Sequence, residues 1–308
     1  IDATLWPTYD FLSVAKQYGL RYFTLAFITA DSTDQPAWGG YREYAVGSNG
    51  TYETALKQQI AGVRQLGGDV FISFGGAAGQ ELAQKITDIT ALKNAYAKVV
   101  TRYGATHLDF DIEGAACADR ISVDRRSQAL ALLQKEFGEK GINLHLHLTL
   151  PVLPSGLTPD GLYVVQSAKK FGVQLEGVNI MAMDYGDSAA PNPQGRMGDY
   201  SIQAARSLQQ QLRSVYGSSL NDAALWKMIG LTPMIGLNDV TTEVFDQQEA
   251  REMLAFASEV NLGRISMWSL NRDQQNPAGK LNYVDLKSSS ILQSYLEFSL
   301  MWNKFTGS

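Results

Sequence analysis

Hydrophobic and polar positions follow two alternating rhythms along the chain. Short apolar runs with strand-like composition are separated by longer stretches whose apolar positions recur at helical spacing. The strand-like runs fall at residues 3–6, 22–28, 70–74, 107–113, 144–150, 178–183, 227–231 and 265–268. The helical patterns fall at about 9–17, 52–65, 80–102, 124–139, 159–171, 201–216 and 247–260, with an amphipathic tail over 288–303. Eight strands taken in turn with eight helices predict right-handed βαβ units and a parallel sheet. At an average spacing of roughly 38 residues, the α/β pattern fits a single (β/α)8 TIM barrel better than a doubly wound sheet. No low-complexity linker interrupts residues 1–308, so one domain is expected.

A barrel places its chemistry at the C-terminal ends of its strands. Side chains alternate across a strand, so Asp109, Asp111 and Glu113 share one face while Leu108, Phe110 and Ile112 share the other. Three close carboxylates repel one another unless protons or partners relieve them. Such acids can also cap a following helix or hold a cation, but perturbed carboxylates concentrate at functional sites. Other unusual groups fall at strand ends too: Ser73 with Gly75 and Gly76, Met183-Asp184-Tyr185, and Trp268. Their convergence on such ends predicts one pocket. Trp268 points where the apolar face of a sugar would stack. Trp6, Trp38 and Tyr41 are further aromatic candidates for lining the cleft, whereas Trp226 and Trp302 are expected in core or helix contacts.

Composition narrows the partners. The chain has 308 residues, 45% of them hydrophobic, with a formal net charge of -5 and a pI near 5.3. That balance argues against nucleic acid and suits a neutral substrate. No apolar run reaches the roughly 18 residues needed to span a membrane. Residue 1 is Ile, with neither an initiator Met nor a secretory signal, so a mature or excised domain is expected. Cys117 is alone, which rules out an internal disulfide framework and suggests a small buried apolar residue. His107, His145 and His147 raise the possibility of a metal, since an H-x-H pair in a barrel can bind one. Known sites of that kind take further histidines from later strands, and none follows His147. The expectation is therefore hydrogen-bonded histidines below the site, with no metal and no cofactor.

Glu113 lies furthest along its strand, with Asp111 two residues behind. Repulsion keeps a proton between the two, and a carboxylic acid protonated near neutrality is what a glycosidic leaving oxygen needs. A retaining glycosidase ordinarily has a second carboxylate about 5 Å away across the scissile bond. Neighbours on one strand do not straddle a substrate in that way. Either Asp184 crosses from the sixth strand, or the substrate supplies its own nucleophile.

The run Asp109-Phe110-Asp111-Ile112-Glu113 resembles the D-x-D-x-E signature of glycoside hydrolase family 18, the chitinase family. Ser73-Phe74-Gly75-Gly76 resembles its S-x-G-G element, and Trp268 the tryptophan ending its last strand. The resemblance covers essentially the whole chain. It implies that Glu113 is the proton donor and that Asp111 orients the substrate N-acetyl group, whose oxygen attacks the anomeric carbon. It places Asp109 behind, sharing a proton with Asp111. Two departures stand out: Thr106 occupies the place of a further Asp, and Met183 that of the sixth-strand Tyr. The hydroxyl for the acetyl oxygen then comes from elsewhere, with Tyr185 the nearest candidate. Met181, Met183, Asp184, Ser73, Gly75, Trp6 and Trp268 are the expected substrate-binding residues.

The resemblance implies a secreted, monomeric, endo-acting chitinase that cuts β-1,4 bonds between N-acetylglucosamine units with retention. Its partners would be chitin or N-acetylglucosamine oligosaccharides. Between the seventh and eighth strands lie only about 30 residues, too few for the α+β insertion that walls a tunnel in chain-end-acting members. The alternatives are an endo-β-N-acetylglucosaminidase acting on N-glycans and a non-catalytic chitin-binding lectin.

Overall fold

Successive parallel strands in this molecule end at Gly75, at Asp111 and at Pro151. The computed structural model describes residues 1–305, which divide into two compact units. One unit holds residues 1–149 and 163–176, the other residues 150–162 and 177–305.

In the first unit, α1 (Phe11–Tyr18), β1 (Tyr22–Ala30), β2 (Pro36–Trp38), α2 (Thr51–Gln65) and β3 (Asp69–Gly75) come first. They lead to α3 (Leu82–Lys85), α4 (Ile89–Tyr103), β4 (His107–Asp111), α5 (Gly114–Ala118) and α6 (Arg120–Glu139). After β5 (His145–Pro151), most of α7 (Pro159–Lys170) and the first residues of β6 (Leu175–Met181) also belong to it. The strands run parallel in the order β5-β4-β3-β1, with β2 antiparallel on β1. The register sets Ser73 beside Asp109 and Gly75 beside Asp111 on one side, and Thr149 beside Asp111 on the other.

The outer face of β4 is apolar, as its alternation requires. Phe110 stacks on Phe74 with ring centroids 5.0 Å apart, and both meet the edge of Tyr96 at 5.2 Å. Tyr96 belongs to α4, which buries Leu92, Tyr96, Val99, Val100 and Tyr103 along one helical stripe. Asp88 caps the start of α4 through the Ala91 amide, and Gly104 ends it in the left-handed region at φ 57°. Burying each large ring contributes on the order of 2 kcal/mol. Beneath α4 lies a buried ion pair, in which Arg126 donates to Glu81 at 2.9 and 3.2 Å.

The second unit carries the rest of β6, then α8 (Met197–Tyr216), α9 (Asp222–Lys227) and β7 (Ile229–Thr232). A small antiparallel pair, β8 (Gly236–Leu237) and β9 (Val244–Phe245), precedes α10 (Gln247–Val260), β10 (Arg264–Ile265) and α11 (Glu297–Trp302). Its parallel strands run in the order β6-β7-β10. Asp246 and Glu249 form a capping box at the start of α10. Glu249 also accepts from the Met197 and Gly198 amides at 2.5 and 3.4 Å, capping α8 as well. Both units alternate strands with helices, as the sequence pattern predicts.

Four expected elements need correction. The run 3–6 is not a strand: Asp2 makes one parallel bridge to Ala26, and its carboxylate then takes the Thr4 and Leu5 amides. That side-chain competition turns the chain before a ladder can extend. Between the expected strand at 22–28 and helix at 52–65, where no element was expected, lies β2, whose Trp38 is fully buried and donates to the Tyr103 hydroxyl at 2.9 Å. Trp38 is therefore core and lines no cleft. The helical stretch 80–102 is two helices, because Asp88 starts a new one. Of the tail 288–303 only Glu297–Trp302 is helical.

Candidate active site

Asp109 sits at the centre of the acidic strand and is 2% exposed. Ser73 from β3 donates to its Oδ2 at 2.6 Å, and Thr149 from β5 donates to its Oδ1 at 2.7 Å. Each flanking strand thus supplies one hydroxyl, placed by the parallel register. Asp111, one layer nearer the strand end, is also buried. Burial first, and then the charges of Glu113 and Asp109, hold its carboxyl well above the usual carboxylate range. A hydrogen bond with Glu113 pushes in the same direction, so the pair retains a proton that an exposed aspartate would lose.

Glu113 stands just past the end of β4, extended at φ -125° and ψ 163°, and is partly exposed. It begins the short helix α5 through its backbone and makes no side-chain cap bond there. The Gly75-Gly76 pair explains how β3 passes so close to this strand. Gly75 lies at φ +97°, and a Cβ there would meet the Asp111 carbonyl oxygen at 2.0 Å. The Gly76 amide donates to that same oxygen at 2.9 Å. Ser73, Gly75, Asp109, Asp111 and Glu113 are therefore assembled into one group. Thr149 belongs with them although the sequence reading did not single it out. Its signal was the strict alternation of the fifth strand, which sets it on the face of His147.

Trp6, in the same unit, is 75% exposed just beyond the Asp2 turn. His107 and His145 stack at 4.5 Å near the N-terminal ends of β4 and β5, away from the strand ends that carry Glu113.

In the second unit, Met181 ends β6 and Met183-Asp184-Tyr185 follows. Asp184 adopts a left-handed φ of 51°, and its Oδ1 accepts from the Val240 amide at 2.8 Å. Burial raises its carboxyl above the ordinary range. The Tyr185 and Gly186 amides donate to Glu243, a fully buried carboxylate, at 3.1 and 2.7 Å. Met183 is buried. Tyr185 is buried as well, its ring at a steep angle to Tyr200 of α8 with centroids 6.2 Å apart. Trp268 is anchored by its backbone, donating to the Pro233 carbonyl at 2.9 Å and accepting from the Ile235 amide at 3.0 Å. It remains partly exposed.

A partly exposed carboxyl acid backed by two buried ones, at the end of a parallel strand, can supply the proton that a glycosidic leaving oxygen needs. No family model matches the chain. A probable bifunctional chitinase/lysozyme of Escherichia coli (strain K12) is 37% identical over 279 residues, covering 89% of this chain and 30% of the relative. Endochitinase 11 of Metarhizium anisopliae is 36% identical over 277 residues, 89% of this chain and 51% of that protein. The chain thus spans about a third and about half of the length of these two curated relatives. Among solved structures, active domain 2 of the thermostable chitinase from Pyrococcus furiosus, complexed with chito-oligosaccharides, is similar at a TM-score of 0.84 and 31% identity. That match covers 100% of this chain and 95% of the other. The chain belongs to the chitinase catalytic domains of glycoside hydrolase family 18, without the α+β insertion, and its fold class is their α/β (β/α)8 barrel. In keeping with that, only the β8/β9 pair and α10 lie between β7 and β10.

Proposed function

We propose that this chain is an endo-acting chitinase domain that hydrolyses β-1,4 bonds between N-acetylglucosamine units, using the substrate's acetamido group as nucleophile. The observation that carries this reading is Glu113, partly exposed past the end of β4 and backed by the buried Asp111 and by an Asp109 already engaged by two hydroxyls. Glu113, the exposed member, protonates the glycosidic oxygen as the bond to the anomeric carbon breaks. The acetamido carbonyl oxygen attacks that carbon, and Asp111 accepts the acetamido N–H and steadies the oxazolinium that forms. Water then opens the ring, giving its proton to Glu113, and the product keeps the β configuration.

Asp109 and Asp111 lie on β4 and Glu113 just past its end, so none of the three stands across the bond as a separate nucleophile. That favours participation by the substrate, the recognised exception to the two-carboxylate rule. The short segment between β7 and β10 favours mid-chain cutting, because it carries no insertion to wall a tunnel. The partly exposed ring of Trp268 suits it as a sugar-stacking platform. An insoluble polymer does not cross membranes, so we place the enzyme outside the cell, acting as a monomer on chitin or its oligosaccharides.

The test compares an acetylated chitin oligomer with its fully deacetylated counterpart. A well-placed internal nucleophile contributes on the order of 7 kcal/mol, so turnover should fall about 10⁵-fold when the acetyl groups are removed. Comparable rates on the two substrates would overturn the mechanism. Cleavage of an N-glycan core in preference to chitin oligomers would replace the substrate, and binding without cleavage would leave a lectin.

A further inference from the structure

At the opposite ends of the catalytic strands, the first unit gathers two imidazoles and a carboxylate that the proposed chemistry does not use. Donor atoms of His107, His147 and Glu176 all lie within 4.8 Å of one another. His107 opens β4, His147 lies on β5, and Glu176 is the second residue of β6. We propose that His107, His147 and Glu176 form a binding site for a zinc-class divalent cation towards the N-terminal ends of these strands, with His147 set beside Asp109 by the β4–β5 register.

The donor set suits such an ion. Two imidazole nitrogens and a carboxylate oxygen are ordinary zinc ligands at about 2.0–2.2 Å, with a fourth position left for water. Hard cations such as calcium prefer all-oxygen cages, so they fit this set poorly. Ligands around a tetrahedral zinc stand about 3.4 Å apart. The present group must therefore contract by up to about 1.4 Å, and one pair is nearly there: His147 Nε2 lies 3.9 Å from Glu176 Oε1. The Glu176 side chain is 47% exposed and that of His147 9%, so the carboxylate has room to swing and the ion a path from solvent.

The surroundings orient the ligands. His145 Nδ1 bonds to Glu176 Oε2, which engages one carboxylate oxygen while Oε1 faces His147. A hydrogen-bonded partner behind a ligating carboxylate is the usual means of aiming it. The Phe71 ring packs on both imidazoles, with centroids 4.7 Å from His107 and 5.1 Å from His147. Rings held in this way lose little freedom when a metal binds. Bound there, the ion would tie the beginnings of three strands together, a structural and not a catalytic duty.

The experiment uses the whole chain, stripped with a chelator and desalted. Zinc titration by calorimetry should give one equivalent bound, and cobalt should give the visible absorption of a tetrahedral nitrogen–oxygen site. A hundredfold excess over Kd should raise the thermal midpoint by about 4 °C or more. Glu176→Gln, at a half-exposed position, should weaken zinc binding at least tenfold while turnover stays unchanged. His147→Ala should abolish the cobalt spectrum. The proposal is overturned if the wild type binds no stoichiometric zinc, or if both variants bind it as the wild type does.

Discussion

Replacing Gly75 by Ala is the most direct test of how the strands hold the catalytic acids. The added Cβ would sit 2.0 Å from the Asp111 carbonyl oxygen, whereas ordinary contact begins at 3.4 Å. The gap must therefore open by about 1.4 Å, the difference of those two distances. The neighbour is backbone in a buried strand, so no flexible side chain can yield. Residue 75 also sits at φ +97°, a conformation costing about 1–3 kcal/mol for a residue with a side chain. Overpacking of a tight site adds about 1–3 kcal/mol. The variant should lose roughly 2–6 kcal/mol in a urea titration. Turnover should fall about a hundredfold even where the protein remains folded, because a displacement near 1 Å at reacting groups costs about that much. Gly141→Ala supplies the control: its φ is +74° but nothing lies within 4 Å of the added carbon. It should show only the conformational cost and full activity. If Gly75→Ala matched that control in both measurements, the close approach of β3 to Asp111 would not be what positions the acids.

Glu113→Gln should lower turnover by more than tenfold while oligosaccharide binding by calorimetry persists, since only proton donation is removed; a tenth of wild-type activity or more would take Glu113 out of that role. Trp268→Ala should stay folded and raise KM for chitin oligomers, and unchanged kinetics would return the ring to a purely structural part. Glu249 is pushed up to about 7 by burial, so the folded chain keeps a proton that the unfolded chain loses above its ordinary value of 4.5. That contribution to stability is full below about pH 4.5 and is lost as pH rises through about 7, amounting to at most about 3 kcal/mol. Urea midpoints at pH 5 and pH 8 should differ more for the wild type than for Glu249→Gln, and equal differences would contradict the assignment.

Much of this was legible in the sequence, and the reasons are local. The helix at 247–260 has the expected bounds because Asp246 and Glu249 form a capping box that any reader of spacing can see. The acidic strand was legible because its period of two is unbroken from Leu108 to Glu113. The run 3–6 misled because a single carboxylate, Asp2, diverts the amides a strand would use. Trp38 misled for a different reason: its partner Tyr103 is far away in sequence, and nothing local announces that a loop aromatic will be enclosed. Thr149 was missed because it matters only through a neighbouring strand.

One carboxylate in this molecule works as a buckle. The two oxygens of Asp109 are fastened to different strands, one to Ser73 and one to Thr149, so a single residue pins three strands against slipping. A slip of one residue would turn every side chain to the other face of the sheet. Changing Asp109 therefore loosens the frame as well as the chemistry, and loss of activity in such a variant would not by itself reveal which had failed. Glu113 lies past the end of its strand and makes no side-chain cap bond. It is the position at which to silence the enzyme when a stable, sugar-holding but inert protein is wanted.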